Sequence, residues 1–141
     1  MVTTESLTAT AIDRLVSQHL AAWNATDPVA RRRHLEATWG DDGVYQDPGV
    51  TLCGRDALHA HIGQRCDCHP QARLVVVGAV RHHHRSVQFS WALVAPDGRR
   101  LLRGDDFATL GPDDRLQRLV VYFNASCDAA ATCTARCGRD C

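Results

Sequence analysis

The chain has 141 residues, and its 16 basic and 16 acidic side chains give a formal net charge of +0. That length makes one domain with a real core, and the charge balance excludes the electrostatic footprint of a protein that grips nucleic acid or an anionic membrane. No apolar run approaches the ~20 residues of a membrane span, and Met1 to Thr10 lacks the basic-then-apolar order of a signal peptide. Seven Cys is an odd count with no sign of secretion, so the expected setting is a reducing cytoplasm with free thiols.

Ile12, Leu15, Val16, His19, Leu20 and Trp23 recur at helical spacing and predict an amphipathic helix from about Glu5 to Ala25. Asp27 as N-cap and Pro28 as first helical residue open a second helix that runs to about Trp39, with Arg31, Arg32 and Arg33 on its wet side. Gly40-Asp41-Asp42-Gly43 reads as a turn, and Val44 to Asp47 as a short strand stopped by Pro48-Gly49. A third helix, about Arg55 to Arg65, packs on Leu58 and Ile62.

The second half changes period. Ala72 to Val80 is an apolar strand, and His82-His83-His84 a turn. Ser86 to Ala95 alternates Val87, Phe89, Trp91 and Leu93 on one face. Arg100 to Leu110 and Arg115 to Asn124 complete a four-strand antiparallel meander, with turns at Pro96-Asp97-Gly98 and Gly111-Pro112-Asp113-Asp114. Three helices with one early strand, then a meander, make an α+β fold: helices gathered on the concave face of a strongly curved antiparallel sheet. Residues 1–125 form this single domain. Residues 126–141, which hold four Cys and no apolar pattern, read as an appendage outside the core.

Two aspartates stand where the pattern calls for strand. Asp47 lies in Val44-Tyr45-Gln46-Asp47-Pro48-Gly49 and Asp105 in Arg103-Gly104-Asp105-Asp106-Phe107. A carboxylate pointing inward from a strand must be paired, hydrogen-bonded or neutral, and those conditions shift its pKa and suit it to acid or base work. His19 lies on the apolar face of the first helix and is expected to point inward. Trp23, Trp91 and Phe107 are expected to wall a pocket. The plainer alternatives are a turn-capping Asp47, a structural Arg103–Asp105 ion pair and a satisfied core His19.

Ala22-Trp23-Asn24-Ala25-Thr26-Asp27, Trp39-Gly40-Asp41-Asp42-Gly43-Val44-Tyr45-Gln46-Asp47-Pro48 and Gly54-Arg55-Asp56-Ala57-Leu58 together resemble the nuclear transport factor 2-like superfamily, and more closely its bacterial SnoaL-like branch. The resemblance covers about residues 6 to 124. It implies a cone-shaped pocket between sheet and helices and commonly a homodimer; no cofactor is expected. Against ketosteroid isomerase, Asp47 matches the proton-shuttling base, and Asp105 the protonated acid that an apolar site keeps neutral. His19 stands where that enzyme has a tyrosine. Arg103 and Asp105, two apart on a strand, share a face, and a guanidinium there would keep Asp105 ionised. That arrangement, with Tyr45-Gln46-Asp47, resembles limonene epoxide hydrolase, although the place of its second aspartate is held by Val121 here.

The reading is therefore a small-molecule binder for an apolar, oxygen-bearing ligand. If catalytic, it moves a proton next to a carbonyl with Asp47 as base and Asp105 and His19 at the developing oxyanion. The alternatives are epoxide-type hydrolysis through Tyr45, Asp47, Arg103 and Asp105, or a non-catalytic binding or dimerisation module. Three consecutive His cannot easily converge on one metal ion, and Cys66-x-Cys68-His69 with Cys133, Cys137 and Cys141 lacks the paired spacing of a zinc site, so no metal is expected.

Overall fold

The computed structural model describes residues 7–124. Its elements in chain order are α1 (Ala9–Asn24), α2 (Pro28–Thr38), β1 (Trp39–Gln46), β2 (Thr51–Cys53), α3 (Arg55–Cys68), β3 (Arg73–His83), β4 (Ser86–Val94), β5 (Arg100–Leu110) and β6 (Leu116–Phe123). The strands form one six-stranded sheet in the order β2-β1-β6-β5-β4-β3, open at both ends. The fold is the expected α+β cone, with one correction to the sheet. It is mixed, because β1 runs parallel to β6 while every other pair is antiparallel. A parallel neighbour needs a long crossover, and the chain from β2 to β5 supplies it.

Local chemistry sets the helix ends. Thr8 Oγ1 accepts the Ala11 N–H at 3.1 Å to start α1, and Asp27 Oδ2 accepts the Ala30 N–H at 3.1 Å to start α2, with Pro28 in the first turn. Arg31 does not lie on the wet side of α2. It is 6 % exposed and donates from Nε and Nη2 to the Ala25 carbonyl, at 3.2 and 3.1 Å, and from Nη2 to the Thr26 carbonyl at 3.3 Å. Those carbonyls, at the end of α1, have no helical partner of their own. The expected Gly40–Gly43 turn is instead part of β1, where the pairing with β6 shifts register between Trp39 and Val44. Trp39 Nε1 donates to the Gly43 carbonyl at 3.2 Å, and a Cβ on Gly43 would stand 2.7 Å from that nitrogen, so the bulge requires glycine. Strand β2, hydrogen-bonded to the end of β1, was not expected from sequence. At the β3–β4 hairpin, His82 and His83 belong to β3, and His84 and Arg85 turn the chain with φ of 47° and 64°.

The core lies between the helices and one sheet face: Leu35, Trp39, Tyr45, Leu58, Ile62, Phe89 and Leu119 are fully buried there. Burying each side chain of that size contributes about 1.5–3 kcal/mol. At the β3 edge, Asn24 pairs with the Leu74 backbone as a strand would, donating to its carbonyl at 3.0 Å and accepting its N–H at 2.8 Å. No helix among the described residues is long and apolar enough to cross a membrane. Cys53 and Cys66 are free thiols, whereas Cys68 is disulfide-bonded, which departs from the expectation of thiols throughout. Of the Met1 to Thr10 stretch, residues 1–6 lie outside the described residues, as does the Cys-rich stretch after Asn124 with Cys133, Cys137 and Cys141.

Candidate functional site

Strand β5 decides which acidic residue enters the core. Leu102, Gly104, Asp106, Ala108 and Leu110 are buried on the helix-facing side, and Arg103, Phe107 and Thr109 are exposed on the other. Asp106, not Asp105, therefore points inward. Asp105 lies on the outer face, where it accepts a hydrogen bond from Ser90 Oγ of the neighbouring strand. Arg103 shares that outer face, and so does Phe107, 48 % exposed and edge-on to Tyr122 at 5.8 Å. These placements correct the expectation that Asp105, Arg103 and Phe107 face the pocket. Phe107 reads as a core residue from sequence, but it lies on the outer face, so the strand's phase is the opposite of the one an inward Phe107 implies.

Asp106 is 5 % exposed, and its Oδ1 accepts the Trp91 Nε1–H at 2.8 Å. Trp91 pairs across the ladder with Gly104, and its indole lies over that glycine. A Cβ on Gly104 would stand 2.3 Å from Trp91 Cζ2, so the missing side chain is the space that lets the indole reach Asp106. Burial raises the Asp106 carboxyl to about 7. The Trp91 hydrogen bond works against that shift, and the charge of Asp105 adds to it. The group thus changes protonation near neutral pH.

Asp47 ends β1 and holds its own turn. Its Oδ1 accepts the N–H groups of Gly49 at 2.8 Å and Val50 at 3.0 Å, and its Oδ2 accepts the Tyr45 hydroxyl at 2.8 Å. His61 Nε2 stands 3.5 Å from the same oxygen, near the limit of a useful contact. Burial alone would raise this carboxyl. His61, the Gly49 N–H and the Tyr45 hydroxyl outweigh it and hold the group at about 2. Asp47 is therefore an ionised anchor. Tyr45, its partner, is held well above the usual phenol range by burial and by the Asp47 charge.

His61 was missed from sequence, yet the signal was present. Leu58 and Ile62 are both core residues of α3, and His61 lies three after Leu58 on the same face. His19 is buried and neutral, lowered to about 4 by burial. Its Nε2 accepts the Trp23 Nε1–H at 3.2 Å, which places the ring proton on Nδ1. The ring stacks on Trp39 at 5.9 Å, behind Trp23.

Leu20, Trp23, Tyr45, Arg65, Leu74, Trp91, Asp106, Val121 and Phe123 line a partly open cavity of about 20 Å³. The structure thus gathers Tyr45, Trp23 and Trp91 with Asp106 and Arg65. It leaves His19 and Asp47 in the layer behind and Asp105, Arg103 and Phe107 outside. Among the described residues no group of three or more His, Cys, Asp and Glu side chains is placed to hold a metal ion.

No protein-family model matches the chain, and no curated protein matches it at a significant level. Solved structures do. A candidate isomerase of the SnoaL-like family from Agrobacterium tumefaciens is 28% identical, with a TM-score of 0.78 over 82% of this chain and 99% of that one. A candidate SnoaL-like polyketide cyclase from a Jannaschia species is 18% identical, with a TM-score of 0.69 over 95% of this chain and 96% of that one. A nuclear transport factor 2-like protein of unknown function from an Exiguobacterium species is 17% identical, with a TM-score of 0.63 over 79% of this chain and 99% of that one. An α+β cone with an acid-bearing pocket between helices and sheet is the nuclear transport factor 2-like arrangement. The chain shares that fold, and the solved structures that match it include SnoaL-like proteins.

Proposed function

We propose that the protein binds an apolar, oxygen-bearing small molecule in this pocket and moves a proton at the carbon next to its carbonyl, as an isomerase or cyclase does. Asp106 is the group that carries the proton. The observation behind this reading is a buried carboxyl in the cavity wall, held by one indole N–H and raised to about 7. An acid–base group works best when its pKa lies near the working pH, because it can then both take a proton and return it. Asp47, first expected as the base, has the opposite electrostatics. It is ionised at any ordinary pH, and three hydrogen bonds occupy its oxygens. Its part in this scheme is to hold Tyr45 against the cavity. The structural neighbours described as a candidate isomerase and a candidate cyclase agree with the reaction class. The hydrolase alternative loses two of its four groups, since Arg103 and Asp105 lie on the outer face.

The test is exchange of α-protons in deuterated water for a panel of cyclic ketones and enones, followed by NMR. Wild type accelerates exchange with a titration near pH 7, and Asp106→Asn lowers the rate by about 10²–10⁴-fold, the usual cost of removing a positioned base. Asp47→Asn has the smaller effect. Loss of exchange in Asp47→Asn with normal rates in Asp106→Asn refutes the assignment. Binding without exchange for every panel member favours the non-catalytic module.

A further inference from the structure

Arg65 stands at the pocket, and among the described residues its guanidinium has no acceptor. It lies one turn after His61 on α3 and lines the same cavity as Trp23, Trp91, Asp106 and Phe123. Its Cζ is 5.9 Å from the Trp23 ring centre and 5.8 Å from that of Phe123. The cation is thus spread across two aromatic rings.

The other arginines that are not fully exposed among the described residues all have oxygen partners. Arg31 holds the Ala25 and Thr26 carbonyls, and Arg32, Arg55, Arg85 and Arg115 hold Asp56, Asp41, Asp114 and Asp113. The Arg65 guanidinium makes neither a hydrogen bond nor an ion pair among the described residues, although the Arg65 carbonyl accepts the His69 N–H that closes α3. A guanidinium presents five N–H donors in a plane that matches a carboxylate. Asp106 does not serve as that carboxylate: no ion pair joins the two among the described residues, and Asp106 Oδ1 accepts the Trp91 indole N–H instead. One part of the wall therefore carries an acid that is easily kept neutral, and another an unneutralised cation.

We propose that Arg65 recognises an anionic substituent, and that the ligand class is an aromatic or cyclic carbonyl compound bearing a carboxylate. The proposal rests on the pocket reading above and names the class of ligand it takes. A cavity of about 20 Å³ has room for about one water, so a ligand enters by displacing Arg65 from the two rings. Trp23 and Phe123 then face the apolar body of the ligand, and the freed donors meet its carboxylate in a charge-assisted bidentate pair.

Calorimetry with 4-acetylbenzoate and its methyl ester compares two ligands that share an aromatic ketone and differ in charge. Wild type is expected to bind the carboxylate about tenfold more tightly than the ester, a ratio equal to about 1.4 kcal/mol, and added salt should reduce the difference. Arg65→Met should bind both alike, and Arg65→Lys should keep part of the preference. The indole N–H signals of Trp23 and Trp91 report by NMR that the pocket is folded and occupied. Equal binding by wild type, or a preference that survives in Arg65→Met, overturns the anion-recognition proposal and leaves the pocket reading standing. Failure of both ligands to bind wild type or to move the indole signals overturns the two together.

Discussion

Replacing Asp106 by Asn tests the central electrostatic claim without any substrate. The amide keeps the shape and can still accept the Trp91 N–H, so the change removes little but the ability to ionise. The carboxyl is raised from 3.8 to about 7 in the folded protein. Between those limits the unfolded chain has released the proton and the folded protein has kept it. Folding then binds a proton, and stability falls as pH rises. Below 3.8 both states are protonated, and the full relative stability is present; above about 7 it has been lost. The slope is about 1.4 kcal/mol per pH unit, which sums to on the order of 4 kcal/mol across the window. Asn does not titrate. The stability of Asp106→Asn minus that of wild type should therefore rise by that amount between about pH 4 and about pH 7 and be flat on either side. Urea unfolding of both proteins across this range measures it. His19 and Asp47 also titrate differently when folded, but they are common to both proteins and largely cancel in the difference. A difference that stays within about 0.5 kcal/mol throughout, or one that falls with pH, refutes the picture of a buried carboxyl kept protonated by its surroundings.

Two further outcomes follow from the packing. Gly104→Ala drives a Cβ into the Trp91 indole and also stands 2.9 Å from the Tyr122 carbonyl, so neither neighbour yields cheaply. It should cost about 1–3 kcal/mol as overpacking does, and the Trp91 indole N–H should lose its hydrogen-bonded NMR shift; an unchanged shift would reject the account of why glycine is there. Leu102, Leu119 and Val121 are buried beneath the helices and offer no surface to a second copy. We propose that the homodimer the resemblance implies forms through the outer face at Phe107 and Tyr122, 48% and 58% exposed. Light scattering should show a dimer that Tyr122→Arg converts to monomer, and a wild-type monomer at micromolar concentration would refute this.

Periodicity alone settled the elements that matter most. The spacing from Ile12 to Trp23 placed α1, Asp27-Pro28 placed the start of α2, and the alternation of Val87, Phe89, Trp91 and Leu93 placed β4 and its buried face. Those signals are local, since each comes from how a helix or strand exposes its own side chains. The fold family was legible by another route, a resemblance carried by ordered motifs around Trp23, Tyr45 and Gly54. The site was only half legible. Because side chains alternate along a strand, a slip of one residue exchanges the two faces, and Phe107 set the wrong phase for β5. Leu102, Ala108 and Leu110 carried the right one, which turns Asp106 inward. His61 and Arg65 share the core face of α3 with Leu58 and Ile62, but nothing in the helix says what that face meets. Only the tertiary structure brings Arg65 over Trp23 and Phe123 and sets Trp91 against Asp106. It alone makes Asp47 an ionised anchor and Asp106 a near-neutral acid, because burial and hydrogen-bond donors from distant segments fix those states and the two sequence contexts do not.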